Sequence, residues 1–179
     1  MIEAGATAPA LVGQPVFGLP FDLARARRRG PVVVAFWGAL SSAATLENLA
    51  RLTEVWPRID AQAGGLVAVT RSPLEAARDF VPRHHVLYPV LVDTTGAIAD
   101  AWGVGAAHGL DALRLRAQPA LLRRAVSVLR NGQALPEAHA DQLPAVFVVG
   151  ADGVVRYAWR GRALRDRFDM EAVWGAVSA

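Results

Sequence analysis

An α/β fold, with a central mixed sheet of about five strands flanked by helices, is what this 179-residue sequence predicts. Three observations carry that expectation. Continuous β-branched and aromatic runs, too apolar for strands with one wet face, alternate with stretches of helical periodicity. The last two runs are separated only by the tight turn Ala151-Asp152-Gly153, which makes them antiparallel, whereas long crossovers between the earlier runs favour parallel pairing. The composition, 53% hydrophobic and 20% charged, is that of an ordered chain able to bury its own core, so a single domain over residues 1–179 is expected.

Residues 1–13 read as an extended lead-in closed by Pro9 and Gly13, and Pro15 to Leu23 as a short strand or hairpin interrupted by Gly18-Leu19-Pro20. Pro31 to Trp37 (PVVVAFW) predicts a strand buried on both faces and ended by Gly38. Ser41 or Ser42 then caps a helix whose Leu46, Leu49, Leu52, Val55 and Trp56 recur at helical spacing, ending before or near residues 57–64. Gly65 to Thr70 is a second buried strand. Ser72-Pro73-Leu74-Glu75 has the pattern of a capping box with proline at the first helical position, and the helix is expected to stop at Pro82. Tyr88 to Val92 is a third strand, Asp93 to Gly96 a turn, and Ile98 to Trp102 a short helix. Residues 103–141 break the alternation and predict a helical insertion, best defined from Pro119 to Asn131-Gly132. Pro144 to Val149 and Val154 to Trp159 form the final hairpin, and Phe168 to Val177 a closing amphipathic helix.

Composition removes whole classes of function. There is no cysteine, so disulfides, thiolate metal sites, iron–sulfur clusters and thiol chemistry are excluded. All 19 basic residues are arginine, so no lysine side chain forms a Schiff base; against 16 acids the net charge is only +3, and no nucleic-acid partner is expected. The densest cluster, Arg25, Arg27, Arg28 and Arg29, reads either as a solvated turn or as an anion or partner patch. The first residues lack a basic segment followed by an apolar run, and the longest apolar stretch is too short to span a bilayer. A soluble, cytoplasmic protein with no membrane partner is therefore expected. The four histidines, His84, His85, His108 and His139, show no metal-ligand spacing, and no metal or cofactor is implied. His84 and His85 follow a helix end and suit its surface, whereas His108 and His139 bracket the insertion. No G-x-S-x-G elbow supports a serine hydrolase.

Several segments carry a family resemblance. Gly30 to Gly38 (GPVVVAFWG), Gly65 to Ser72 (GLVAVTRS), Tyr88 to Gly96 (YPVLVDTTG), Ala101 to Val104 (AWGV) and Leu143 to Gly153 (LPAVFVVGADG) occur in order and at the right spacing. Together they resemble the peroxiredoxin-like branch of the alkyl hydroperoxide reductase/thiol-specific antioxidant (redoxin) family, over roughly residues 5–177. The resemblance implies a thioredoxin-like fold. The reactive loop departs from it. Where relatives read G-x-W-C-P-x-C, this chain reads Gly38-Ala39-Leu40-Ser41-Ser42-Ala43-Ala44, with Ser41 in place of the peroxide-attacking cysteine and Ala44 in place of the second. That chemistry needs a thiolate at a helix N-terminus, which serine cannot supply.

The resemblance also implies that Pro144 is cis and faces this loop, and that Arg167 lies in the closing segment where relatives place an arginine. With Trp37, Gly38, Ser41 and Ser42 these residues make a candidate pocket for a small anionic or oxygen-rich ligand; the competing reading is a capped helix and an arginine paired with a nearby acid. Two functions follow. One is a redox-inactive binding or interaction module, a pseudoenzyme acting as a homodimer. The other is an enzyme with cysteine-independent chemistry on a small molecule in the same pocket.

Overall fold

The computed structural model describes residues 2–106 and 142–179. A two-stranded hairpin, β1 (Val12–Gly13) and β2 (Phe21–Asp22), precedes a short helix α1 (Leu23–Ala26). The chain then builds β3 (Val32–Trp37), α2 (Ala43–Ala61), β4 (Gly65–Thr70), α3 (Leu74–Arg83), β5 (Val90–Val92) and α4 (Ala97–Ala101). After the insertion come β6 (Ala145–Val149), β7 (Val155–Arg160) and α5 (Met170–Ser178).

The five long-range strands form one sheet in the order β5-β4-β3-β6-β7. β3, β4 and β5 are parallel, β6 is antiparallel to β3, and β7 antiparallel to β6. This is the mixed sheet that the crossover lengths and the Ala151–Gly153 turn require. All six residues of β3 are buried, because both faces of the sheet are covered. Alternation along the strand divides them. Val33, Ala35 and Trp37 pack with Leu52, Ile59, Phe80 and Val173 from α2, α3 and α5. Val32, Val34 and Phe36 pack with Leu11, Leu23, Trp102 and Phe147 on the side of the N-terminal hairpin and α4.

The extended lead-in ends in strand β1, and Gly5 N–H donates to Val155 O while Val155 N–H donates to Ala6 O, so the lead-in lines the start of β7. Three local expectations need correction. The arginine-rich turn begins as a helical turn, α1, capped by Asp22 Oδ1 on Ala24 N–H at 2.8 Å. The capping box at Ser72 does not form: the N-cap of α3 is Pro73, without a side-chain cap, because Ser72 is turned inward. Pro82 lies inside α3, which continues to Arg83. So near the C-terminus the loss of one N–H is tolerated, and His84 N–H still donates to Phe80 O at 3.0 Å. Of the expected insertion at 103–141, residues 107–141, with His108, His139 and the helix after Pro119, lie outside the described residues.

Candidate functional site

β3 delivers the chain to Gly38–Ser42 at the C-terminal end of the parallel strands. Gly38 is required there by close approach: a Cβ would lie 2.9 Å from the backbone oxygen of Gln142. Ser42, not Ser41, caps α2. Its Oγ accepts from Thr45 N–H at 3.0 Å and donates to Thr45 Oγ1 at 2.9 Å, while its own N–H donates to Ala39 O at 3.0 Å. Ser41 is exposed and Ala44 half-buried on the first turn of α2.

Three side chains that sequence reasoning did not assign to the site hold this loop. Gln142, 1% exposed, donates from Nε2 to Trp37 O at 2.9 Å. Thr70, at the end of β4, donates from Oγ1 to Gly38 O at 3.3 Å and accepts from Ser72 N–H at 3.2 Å. Ser72 Oγ accepts from Leu40 N–H at 3.1 Å. Each satisfies a backbone group that burial would otherwise leave unpaired. No local pattern announces them, because their partners lie 32 or 105 positions away in the chain. The local motif at Ser72 predicts a helix cap, but the distant Leu40 amide binds it instead.

The other predicted residues fall around this core. Trp37 is 2% exposed and packs against Phe80 and Tyr88, with ring centroids 6.1 Å away in each case. Burial raises the Tyr88 phenol well above its ordinary pKa, opposed by the nearby Thr53 side chain. Arg167 donates to Glu47 Oε2 on α2 from Nε at 3.0 Å and from a terminal nitrogen at 2.7 Å; both side chains are about half exposed. Pro144 follows a trans bond, since no described peptide bond is cis. The expectation of a cis proline is overturned. Leu143 N–H donates to Gly105 O and Pro144 O accepts from Gly161 N–H, so the chain runs extended into β6, and trans is the lower-energy form of such a bond. Two buried polar atoms of residues that adjoin or hold the loop, Trp37 Nε1 and Gln142 Oε1, have no hydrogen-bond partner among the described residues.

His84 stacks on Phe80 at a centroid distance of 4.3 Å, at the C-terminal end of α3. Among the described residues no group of three histidine or acidic side chains is placed to hold a metal ion. No described helix is long and apolar enough to cross a membrane. The loop thus offers the serine hydroxyl of Ser41 and the first amides of α2, with no thiol.

A search of the curated proteins finds no match. Among solved structures, the chain is similar to the peroxidoxin BcpB of Mycobacterium tuberculosis at 17% identity, with a TM-score of 0.70 over 99% of this chain and 96% of that one. It is similar to the Xanthomonas campestris bacterioferritin comigratory protein at 15% identity and TM-score 0.65, covering 94% and 90% of the two chains. The reduced 2-Cys peroxiredoxin of Plasmodium vivax gives 12% identity and TM-score 0.67, covering 98% and 94%. At these identities the structures establish the fold, which is the thioredoxin-like fold of peroxiredoxins. The sequence profile of the AhpC/TSA family matches residues 4–158. With a family profile spanning most of its length, the peroxiredoxin architecture and no cysteine in its sequence, the chain belongs to the AhpC/TSA family as a cysteine-less member.

Proposed function

We propose that this chain is a redox-inactive member of its family, a pseudoenzyme that serves as a binding or interaction module. The observation that carries the reading is the absence of any thiol in the sequence, joined to a loop whose polar groups are engaged internally. Leu40 N–H, Gly38 O and Trp37 O, which border the former reactive position, are each bound by a buried side chain, and Arg167 is paired with Glu47. A serine hydroxyl at position 41 does not ionise at neutral pH, so it has no counterpart to the peroxide-attacking thiolate. The test is consumption of hydrogen peroxide and an organic hydroperoxide by the purified protein with a dithiol donor. No turnover above buffer is the expected result; turnover at a rate proportional to protein concentration would overturn the reading.

A second reading is favoured by Trp37 Nε1 and Gln142 Oε1, buried and without a hydrogen-bond partner among the described residues. In it a small oxygen-rich or acidic molecule is held by Ser41, Ser42 and Arg167, and undergoes cysteine-independent chemistry. Native mass spectrometry of protein purified gently from its own host separates the two. A stoichiometric small-molecule adduct lost in Ser41→Ala/Arg167→Ala supports the second reading, and a bare chain or dimer supports the first.

The first reading includes a homodimer in the cytoplasm. Exposed Phe17, Leu19 and Leu87 around a cleft of about 320 Å3 beside β5 support self-association. Sedimentation velocity showing only monomer at micromolar concentration would remove the dimer from the proposal, and cell fractionation tests the location.

A further inference from the structure

The opposite pole of the sheet, at the N-terminal ends of β3 and β4, carries a different kind of surface. Here α1 and the turn after it bring Arg25, Arg27, Arg28 and Arg29 together, and the β6–β7 turn lies beside them. Arg27 is fixed: a terminal nitrogen of its guanidinium donates to Ala151 O, and its Cζ lies 3.0 Å from where a Cβ would stand on Gly153. Gly153, at φ +86°, therefore leaves room for the guanidinium to lie across the turn. Arg25, Arg28 and Arg29 are exposed, and among the described residues no carboxylate lies within ion-pair distance of any of them. Three exposed arginines, without an ion-pair partner among the described residues, are thus sequence neighbours of one that is pinned.

Next to them a cleft of about 330 Å3 opens between residues 7–12 of the lead-in, α1 and Gly153. Leu11 and Leu23 line it and are buried; Val12, also on its wall, is 65% exposed. Two carboxylates also border the cleft, each bound to a backbone amide: Asp22 to Ala24 and Asp152 to Val154.

We infer that this pole docks an acidic segment of a partner protein, its carboxylates on Arg25, Arg28 and Arg29 and an apolar side chain in the cleft. Guanidinium groups bind carboxylates through paired, charge-assisted hydrogen bonds, and the cleft adds apolar area that a purely electrostatic contact lacks. A nucleic acid fits less well: a phosphodiester track needs a longer run of cations and offers no apolar side chain for the cleft. The inference is independent of the proposed function of the Gly38–Ser42 loop, which lies at the other end of β3, and a result in the peroxide assay does not bear on it.

The test measures fluorescence anisotropy of a labelled ten-residue peptide of alternating glutamate and leucine, titrated with the full chain. Saturable binding that weakens with added salt is expected. Arg28→Glu/Arg29→Glu should weaken it at least tenfold, Arg25→Glu several-fold, and replacement of the peptide leucines by glycine several-fold. Arg162→Glu, a charge reversal at an exposed position elsewhere, should leave affinity unchanged. Thermal midpoints equal to that of the parent chain confirm that each variant is folded. Absence of saturable binding, affinity indifferent to both Arg28→Glu/Arg29→Glu and Arg25→Glu, or tighter binding of oligo-dT or of anionic phospholipid vesicles at the same salt would each overturn the inference.

Discussion

The two ends of β3 use polar groups in opposite ways. At its C-terminal end, buried Thr70, Ser72 and Gln142 are bound to the backbone of the Gly38–Ser42 loop. At its N-terminal end, Arg25, Arg28 and Arg29 are exposed and unpaired among the described residues. The difference teaches where stability and where recognition reside. A buried polar group left without its partner incurs its desolvation penalty in full, so the first end is intolerant of change. A solvated guanidinium contributes little to folding and remains available to bind. Both ends rest on the same strand, and six buried residues of β3 separate them.

The sharpest way to break the comparison is Gln142→Ala. It removes the donor to Trp37 O and leaves a void at a position 1% exposed, and should lower unfolding free energy by about 2–4 kcal/mol in chemical denaturation. Ser72→Ala frees the Leu40 amide and should lose about 1–2 kcal/mol. Ser42→Ala removes the cap of α2 and should lose about 1 kcal/mol, whereas Ser41→Ala, at an exposed position that is not the cap, should be within about 0.5 kcal/mol of the parent. If the two serines behaved alike, the assignment of the cap would be wrong. The smallest effect belongs to the arginine end, where Arg28→Ala should change stability by less than about 0.5 kcal/mol. The half-exposed Arg167–Glu47 pair sits between, with a double-mutant coupling of about 0.2–1 kcal/mol that salt reduces.

Alkali sharpens the same contrast. Burial raises the phenols of Tyr88 and Tyr157 in the folded chain; for Tyr157 the Asp169 charge adds to the rise and a backbone hydrogen bond at Asp169 opposes it. An unfolded phenol ionises near pH 10, so above that pH the unfolded chain has lost protons that the folded chain retains. Stability is therefore full below about pH 10 and falls as pH rises further. Tyr88→Phe should flatten that fall in denaturation midpoints recorded from pH 9 to 11; an unchanged slope would show that the buried phenol does not couple to folding.

Much of the fold was legible because its cause is local. A six-residue apolar run such as Val32–Trp37 can be stable only as a strand covered on both faces, and the short Ala151–Gly153 turn leaves only one pairing for its flanking strands. The site was legible only in part. That the chain has no cysteine, and with it no thiol chemistry, is a property of the sequence. Which serine caps α2 was open between two neighbours, because both have the same chemistry and only the backbone angle at the helix start distinguishes them.

Sequence by itself determined the α/β class, the strand runs, the family resemblance and the absence of any thiol, since each depends on residue type or on spacing along the chain. Tertiary structure alone decided that Ser72 binds Leu40 rather than capping α3, that Gln142 reaches Trp37, that Arg167 pairs with Glu47, that Pro144 follows a trans bond, and that three arginines at the far pole are left unpaired among the described residues. The physical reason is common to the contacts among these. A hydrogen bond or ion pair between residues 32 to 120 positions apart depends on where the sheet carries the two groups, and no local propensity encodes that.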